Sequence, residues 1–229
     1  IAGTHLYGAI VTALLARERT GEGATVDVSM QDCVFPTLAT ALGSYYAAGR
    51  VQPPRGGNRH PGRALAPYNV YEARDGHIAI ICIREGHWQK LCTAMERPDL
   101  AEDERFAKMA DRCARMDELD ELVNDWTRAR SKAEIFALGQ KHGVICAPVQ
   151  DLDDVVNDEH MLARGALEKR THAGLGEIAQ CQTPIRFLDI DPPPLADVPA
   201  LGADTDRVLA EFAGLSREDL ERLRSADVI

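Results

Sequence analysis

The chain has 229 residues, 45% of them hydrophobic, and a formal charge of −10 from 26 basic and 36 acidic side chains. That length is enough for one large domain or two of ordinary size around a sizeable core. The acidic balance, with both signs interspersed, argues against a nucleic-acid-binding face and against a polybasic membrane patch, and no apolar run approaches the roughly 18 residues of a membrane span.

The first residues carry neither a basic n-region nor a small-residue cleavage site, so a cytoplasmic protein is expected. Six cysteines are scattered without a CxxC pair, most among apolar neighbours, as reduced core thiols are. The seven histidines lack the spacing of a zinc site, and no metal is expected.

In chain order, Gly3 to Arg19 reads as a helix stopped by Thr20-Gly21, because glycine in the left-handed conformation is the usual helix stop. Its residues from Leu6 to Ala16 are apolar on nearly every face and require burial on several sides. Val26, Val28 and Met30 alternate with Asp27 and Ser29, which predicts a strand over 25–30 with one buried face. A second helix is expected from near Asp32 to about Ala48, with Pro36 in its first turn. Helix, strand, helix is the rhythm of a doubly wound α/β domain, of which this segment forms a tail.

Residues 51–67 are too rich in proline and glycine for regular structure, and so long a loop within a compact domain is usually functional or disordered. Tyr68–Ala73 and His77–Ile83 are β-rich runs meeting around Asp75-Gly76, a hairpin signal. A helix from about Glu85 to Met95 ends before Pro98, and 103–129 is an amphipathic helical region with Leu119, Leu122, Val123 and Trp126 inward. Ser131 and Glu134 form a capping box that opens a helix closed by Gly143.

Residues 144–149 read as a buried strand, Asp151 to about Leu162 as helix, and 166–172 and 177–183 as weaker strands. The prolines at 192–194 and 199 make a stiff linker. Two terminal helices follow, Asp204–Ala213 and Ser216 to about Ser225. The division expected is therefore 1–50 as part of a large α/β domain, 51–67 as a loop, 68–187 as an inserted α+β domain, and 188–229 returning to the large domain.

Several motifs stand in a specific order: Gly3-x-His5; Ala13 to Gly23, reading ALLARERTGEG; Val26 to Asp32, reading VDVSMQD; Arg55-Gly56-Gly57-Asn58; Ala66-Pro67-Tyr68; Asp75-Gly76; Ala147-Pro148-Val149; and Leu201 to Asp206, reading LGADTD. In this order the chain resembles the family III CoA-transferases, which include formyl-CoA and carnitine CoA-transferases and the related α-methylacyl-CoA racemases. The resemblance spans essentially the whole chain and matches the C-terminal portion of such an enzyme.

The resemblance implies a large α/β domain built from both chain ends, a smaller middle domain and two interlocked subunits. It also implies CoA transfer from an acyl-CoA to a carboxylate through an aspartyl-CoA intermediate. The nucleophilic aspartate would lie one or two residues before Ile1, so no catalytic residue is assigned within the chain. The expected partners are the N-terminal half of the same enzyme and a second copy, and CoA enters as a thioester substrate, with no covalently bound cofactor.

In formyl-CoA transferases a mobile glycine run after the Arg-Gly-Gly-Asn match closes over the intermediates. By the same resemblance Gly56, Gly57, Asn58, Arg59, His60 and Gly62 are the expected substrate-binding residues, with Arg59 or His60 available to a carboxylate. The competing reading of this loop is a rigid connector. Met30 is the expected contact to CoA, at the carboxyl end of the predicted strand where ligands meet α/β sheets; its alternative is a core methionine.

Asp27 and Ser29 read as structural or as the margin of the site, and His5 as an acid/base group or a packed histidine. The racemases use a glutamate just after the strand matching Ile78–Ile83, but Arg84 stands at that position here and Glu85 one further on. A racemase is therefore the second reading, and a non-catalytic assembly domain the third.

Overall fold

A computed structural model describes every residue except Pro53 and Ala173. By contacts the chain divides into two units, Ile1–Val149 and Gln150–Ile229.

The first unit begins with α1 (Ala2–Thr20), closed by Gly21 at φ 76°, whose N–H donates to Arg17 O at 2.8 Å. Arg17 and Arg19 in the last turn favour the negative end of the helix dipole. None of its residues is buried, and Leu6, Tyr7, Ile10, Val11, Leu14 and Leu15 are all exposed. The burial that this apolar helix demands is not supplied by the described residues.

The strand expected over 25–30 does not form. Residues 22–29 lie outside regular structure, and Met30 instead opens α2 (Met30–Val34). A strand exists only by pairing, and the described residues offer this one no neighbour. Ser29 takes the N-cap role, its Oγ accepting from Asp32 N–H at 3.3 Å. The single helix expected to Ala48 is also divided. A 3-10 turn (Phe35–Leu38) carrying Pro36 separates α2 from α3 (Ala39–Ala47), because proline lacks the N–H needed to continue the α pattern.

The core lies around a three-stranded antiparallel sheet, β1 (Tyr68–Ala73), β2 (Gly76–Ile81) and β3 (Ile145–Pro148), in that spatial order. The hairpin register pairs Tyr71 with Ile78 and Ala73 with Gly76, and β3 places Cys146 opposite Ile80. Tyr71, Ile78, Ile80 and Cys82 point to the covered face and join Trp88, Leu91 and Cys92 of α4 (Glu85–Ala94) in one apolar cluster.

The same cluster takes Leu100 of α5 (Pro98–Glu102), Phe106, Leu119 and Val123 of α7 (Met116–Arg128), and Ile135 of α8 (Lys132–His142). Between α5 and α7 lies α6 (Met109–Ala114), so the helical region expected over 103–129 is two helices preceded by an irregular stretch. The strand expected to be buried at 144–149 is an edge strand with Ile145 exposed.

The second unit contains α9 (Leu152–Val156), α10 (Glu159–Ala163), an antiparallel hairpin of β4 (Leu167–His172) and β5 (Gly176–Cys181), α11 (Thr205–Ala213) and α12 (Arg217–Ser225). The expected helix over 151–162 is thus two short ones, because Asp158 starts a new N-cap by accepting from Met161 N–H at 2.8 Å. The proline-rich segment is held by polar contacts. Gln182 and Gln180 donate to Pro193 O and Ala196 O, and Arg170 pairs with Asp197 at 2.9 Å. The architecture is mixed α/β, and every described strand pair is antiparallel.

Candidate functional site

The glycine-rich loop is built from two consecutive turns, Arg59 N–H donating to Gly56 O at 3.2 Å and Arg63 N–H to His60 O at 2.9 Å. Gly57 adopts φ 61°, where a side chain would be strained. Gly62 is required for a different reason. A Cβ there would lie 2.9 Å from Ser44 Oγ and 3.1 Å from Thr40 Cγ2, so the loop backbone rests directly on α3.

Arg59 turns inward. Its Nε lies 2.6 Å from Asp120 Oδ2 and its Nη1 2.7 Å from Asp117 Oδ1. Burial alone would lower its pKa, but the two carboxylates outweigh that effect and raise it. Asp120 lies on the buried side of α7 and also receives Asn69 Nδ2 at 3.1 Å and the Tyr71 hydroxyl at 2.6 Å. Three donors from the loop and β1 therefore satisfy one carboxylate that would otherwise be costly to bury. Burial, and then the Asp120 charge, hold the Tyr71 hydroxyl well above its ordinary pKa.

A second buried charge fixes the far end of the loop. Arg112 of α6 is fully buried; its Nε donates to Ala66 O at 2.8 Å, its Nη1 to Phe106 O at 2.7 Å, and its Nη2 to Glu85 Oε2 at 2.7 Å. The guanidinium also stacks over the Trp88 ring, 5.6 Å from its centroid. Ala66-Pro67, a cis peptide, follows directly into β1.

On the sheet face opposite the core, Tyr68, Val70, Ala79, Ile81, Ile145 and Ala147 line an open apolar concavity of about 350 Å³, which Asn58 also borders. His60 packs edge-on against Tyr68 with ring centroids 5.2 Å apart. Asn58, His60 and the concavity are thus brought together, whereas the Arg59 guanidinium is committed to carboxylates on the other side.

Met30 is 76% exposed at the start of α2 and free of core packing. His5 Nδ1 lies 3.0 Å from Ile1 O within α1. Glu85 is tied to Arg112 and also accepts from Met109 N–H at 2.9 Å. No group of metal-ligating side chains occurs among the described residues.

Sequence reasoning missed Asp120, Asn69, Tyr71 and Arg112. For Asp120 a signal existed: Met116, Leu119, Val123 and Trp126 define the inward stripe of α7, and Asp120 falls within it. An acid among apolar positions on one helix face calls for a buried partner.

The description of CoA-transferase family III matches residues 1–205. The chain is 36% identical over 203 residues to the succinyl-CoA:mesaconate CoA-transferase of Haloarcula hispanica, covering 88% of this chain and 50% of that one. It is 31% identical over 234 residues to the alpha subunit of the succinyl-CoA–L-malate CoA-transferase of Chloroflexus aurantiacus, covering 98% and 52%. Among solved structures, a CAIB/BAIF family protein from Brucella suis superposes with a TM-score of 0.73 at 34% identity, covering 92% of this chain and 53% of that one. The chain belongs to CoA-transferase family III. It spans about half the length of the curated relatives it matches.

Proposed function

We propose that this chain forms the C-terminal part of an enzyme that moves CoA from an acyl-CoA to a free carboxylate, with the attacking aspartate upstream of residue 1. The family match supports the CoA transfer, and the observation that supports a missing upstream part is α1, a 19-residue helix rich in apolar side chains with none buried. Such a surface needs a large apolar partner, at about 1.5–3 kcal/mol per fully buried large side chain. The unpaired segment 22–29 beside it supports the same reading.

In this mechanism an aspartate oxygen attacks the thioester carbon and CoA leaves as thiolate, forming a mixed anhydride. The thiolate then attacks the aspartyl carbonyl, releasing the donor acid and forming aspartyl-CoA. The acceptor carboxylate takes the CoA by the same two steps in reverse. Each step exchanges one activated carboxyl for another of similar energy, so the transfer requires no ATP. The names of both relatives above carry succinyl-CoA, which favours a short acyl donor.

Residues 1–50 and 188–229 would belong to a doubly wound large domain and 68–187 to an inserted one, in an interlocked homodimer. Gly56, Gly57, Asn58 and His60 would face the substrate and Met30 the CoA, while Gly62 seats the loop on α3. A racemase is disfavoured because Glu85, the nearest carboxylate to the racemase position, is engaged by Arg112 and Met109.

The test is a transfer assay on residues 1–229 alone and on the full-length protein. Transfer only by the full-length protein is expected; transfer by 1–229 alone overturns the reading. Loss of an α-deuterium from a branched acyl-CoA without transfer to an acceptor would favour the racemase instead.

A further inference from the structure

We propose that Asp120 is a positioning residue for the loop: through Arg59, its anchor, it holds the segment from Arg59 onward and leaves Gly56, Gly57 and Asn58, ahead of the anchor, to move. This rests on the reading of that loop as the substrate-side cover, but its geometry stands separately. Three points of the segment are fixed: Arg59 by Asp120 and Asp117, Gly62 by close contact with α3, and Ala66 by Arg112. Before Arg59 a positive-φ glycine gives the chain its turning freedom, and Asn58 stands at the border of the apolar concavity.

Arg59 therefore does not serve the substrate carboxylate. Its charge is consumed by a carboxylate that is only 8% exposed and held on its other oxygen by Tyr71. The pair sets where Asn58 begins, and with it the distance between the loop tip and the concavity. Asp117 shares the same guanidinium but is 87% exposed, so water competes for it and it is not required.

The experiment has two arms. In the first, hydrogen exchange of the amides of residues 56–62 is compared in wild type, Arg59→Gln, Asp120→Asn, the double variant and Asp117→Asn. A lost charge-assisted bond predicts exchange roughly ten- to a hundredfold faster in Arg59→Gln. The double variant should be no faster than the singles, Asp117→Asn should match wild type, and amides of β2 should be unchanged in all. If Asp120→Asn does not fold, Arg59→Gln alone decides.

In the second arm, the full-length protein is given acyl-CoA and acceptor, and free CoA thiol released by water is measured against CoA transferred. Arg59→Gln should raise the hydrolysed share about tenfold or more, with the KM for acyl-CoA little changed. Unchanged exchange over 56–62 in folded Arg59→Gln overturns the anchor, and faster exchange with an unchanged hydrolysed share overturns the positioning role. If the wild-type protein transfers no CoA, the transferase reading fails while the exchange arm still decides the anchor.

Discussion

Arg59 Nε lies 2.6 Å from Asp120 Oδ2, joining the glycine-rich loop to the buried side of α7 across 61 residues of sequence. The same carboxylate accepts from Tyr71 and Asn69, so loop, strand and helix meet at one charge. Removing a donor from a buried acceptor costs about 1–3 kcal/mol. Tyr71→Phe should therefore lower stability by that amount in urea unfolding, with the midpoint reduced and the slope unchanged. Asp120→Ala strands three donors and should cost more, toward the lower part of the roughly 3–5 kcal/mol range for broken buried pairs, because Arg59 retains Asp117 and some solvent contact.

Arg112 is the more demanding centre. Its substitution by Met leaves the carbonyls of Ala66, Phe106 and Ala107 without that donor and the half-exposed Glu85 carboxylate with only the Met109 N–H. Each buried carbonyl left without a donor costs about 1–3 kcal/mol, so a loss of several kcal/mol is expected, read as a fall in the unfolding midpoint. Arg112→Lys should not rescue it, since one ammonium does not reproduce a planar fork aimed at separate acceptors.

The pH dependence has an acid side. Burial works to raise the pKa of Glu85, but the Met109 N–H and the Arg112 guanidinium outweigh it and hold it below its ordinary 4.5. A depressed carboxylate contributes stability that is present above its unfolded pKa and lost as pH falls through the folded one. Stability should therefore decline as pH drops below about 4.5, and Glu85→Gln should flatten that decline. Glu85 is half exposed, so the shape of the curve rather than its height is the readout.

Thiol labelling gives an independent check of the core. Burial pushes both Cys82 and Cys92 up to about 12, whereas Cys181 is exposed. Only the thiolate reacts, so alkylation of the native protein near pH 8 should modify Cys181 first and leave Cys82 and Cys92 intact until unfolding. Peptide mass spectrometry reads this directly. Because these raised values favour the neutral folded form, their contribution is present below an unfolded pKa near 9 and is lost as pH rises from there toward 12.

Local signals in the sequence were reliable where the structure they specify is local. Gly21 and Gly143 end their helices in the left-handed conformation, Ser131 with Glu134 and Ser216 with Asp219 form capping boxes, and β1 and β2 pair through a two-residue connection before Gly76. The failures share a cause. The 25–30 pattern satisfied a strand's alternation, but a strand also needs a neighbour, which alternation does not supply.

The Arg-Gly-Gly-Asn match locates the loop and leaves Arg59 or His60 open to a carboxylate; that Arg59 pairs with Asp120 is not readable there, because its partner lies 61 residues away. Arg112 has the same difficulty, with acceptors as far as 46 residues off. Asp120 was legible in part, as an acid inside the apolar stripe of α7. Which donors it would collect depended on tertiary packing.

The CoA transfer proposed above would pass through a covalent intermediate on an aspartate ahead of residue 1. Its most direct measurement is mass spectrometry of the full-length protein quenched during incubation with acyl-CoA in the absence of acceptor. A CoA adduct on an aspartate-containing peptide upstream of Ile1 is the predicted result. An adduct within residues 1–229, or no adduct anywhere in a preparation that sustains transfer once acceptor is added, would contradict the account.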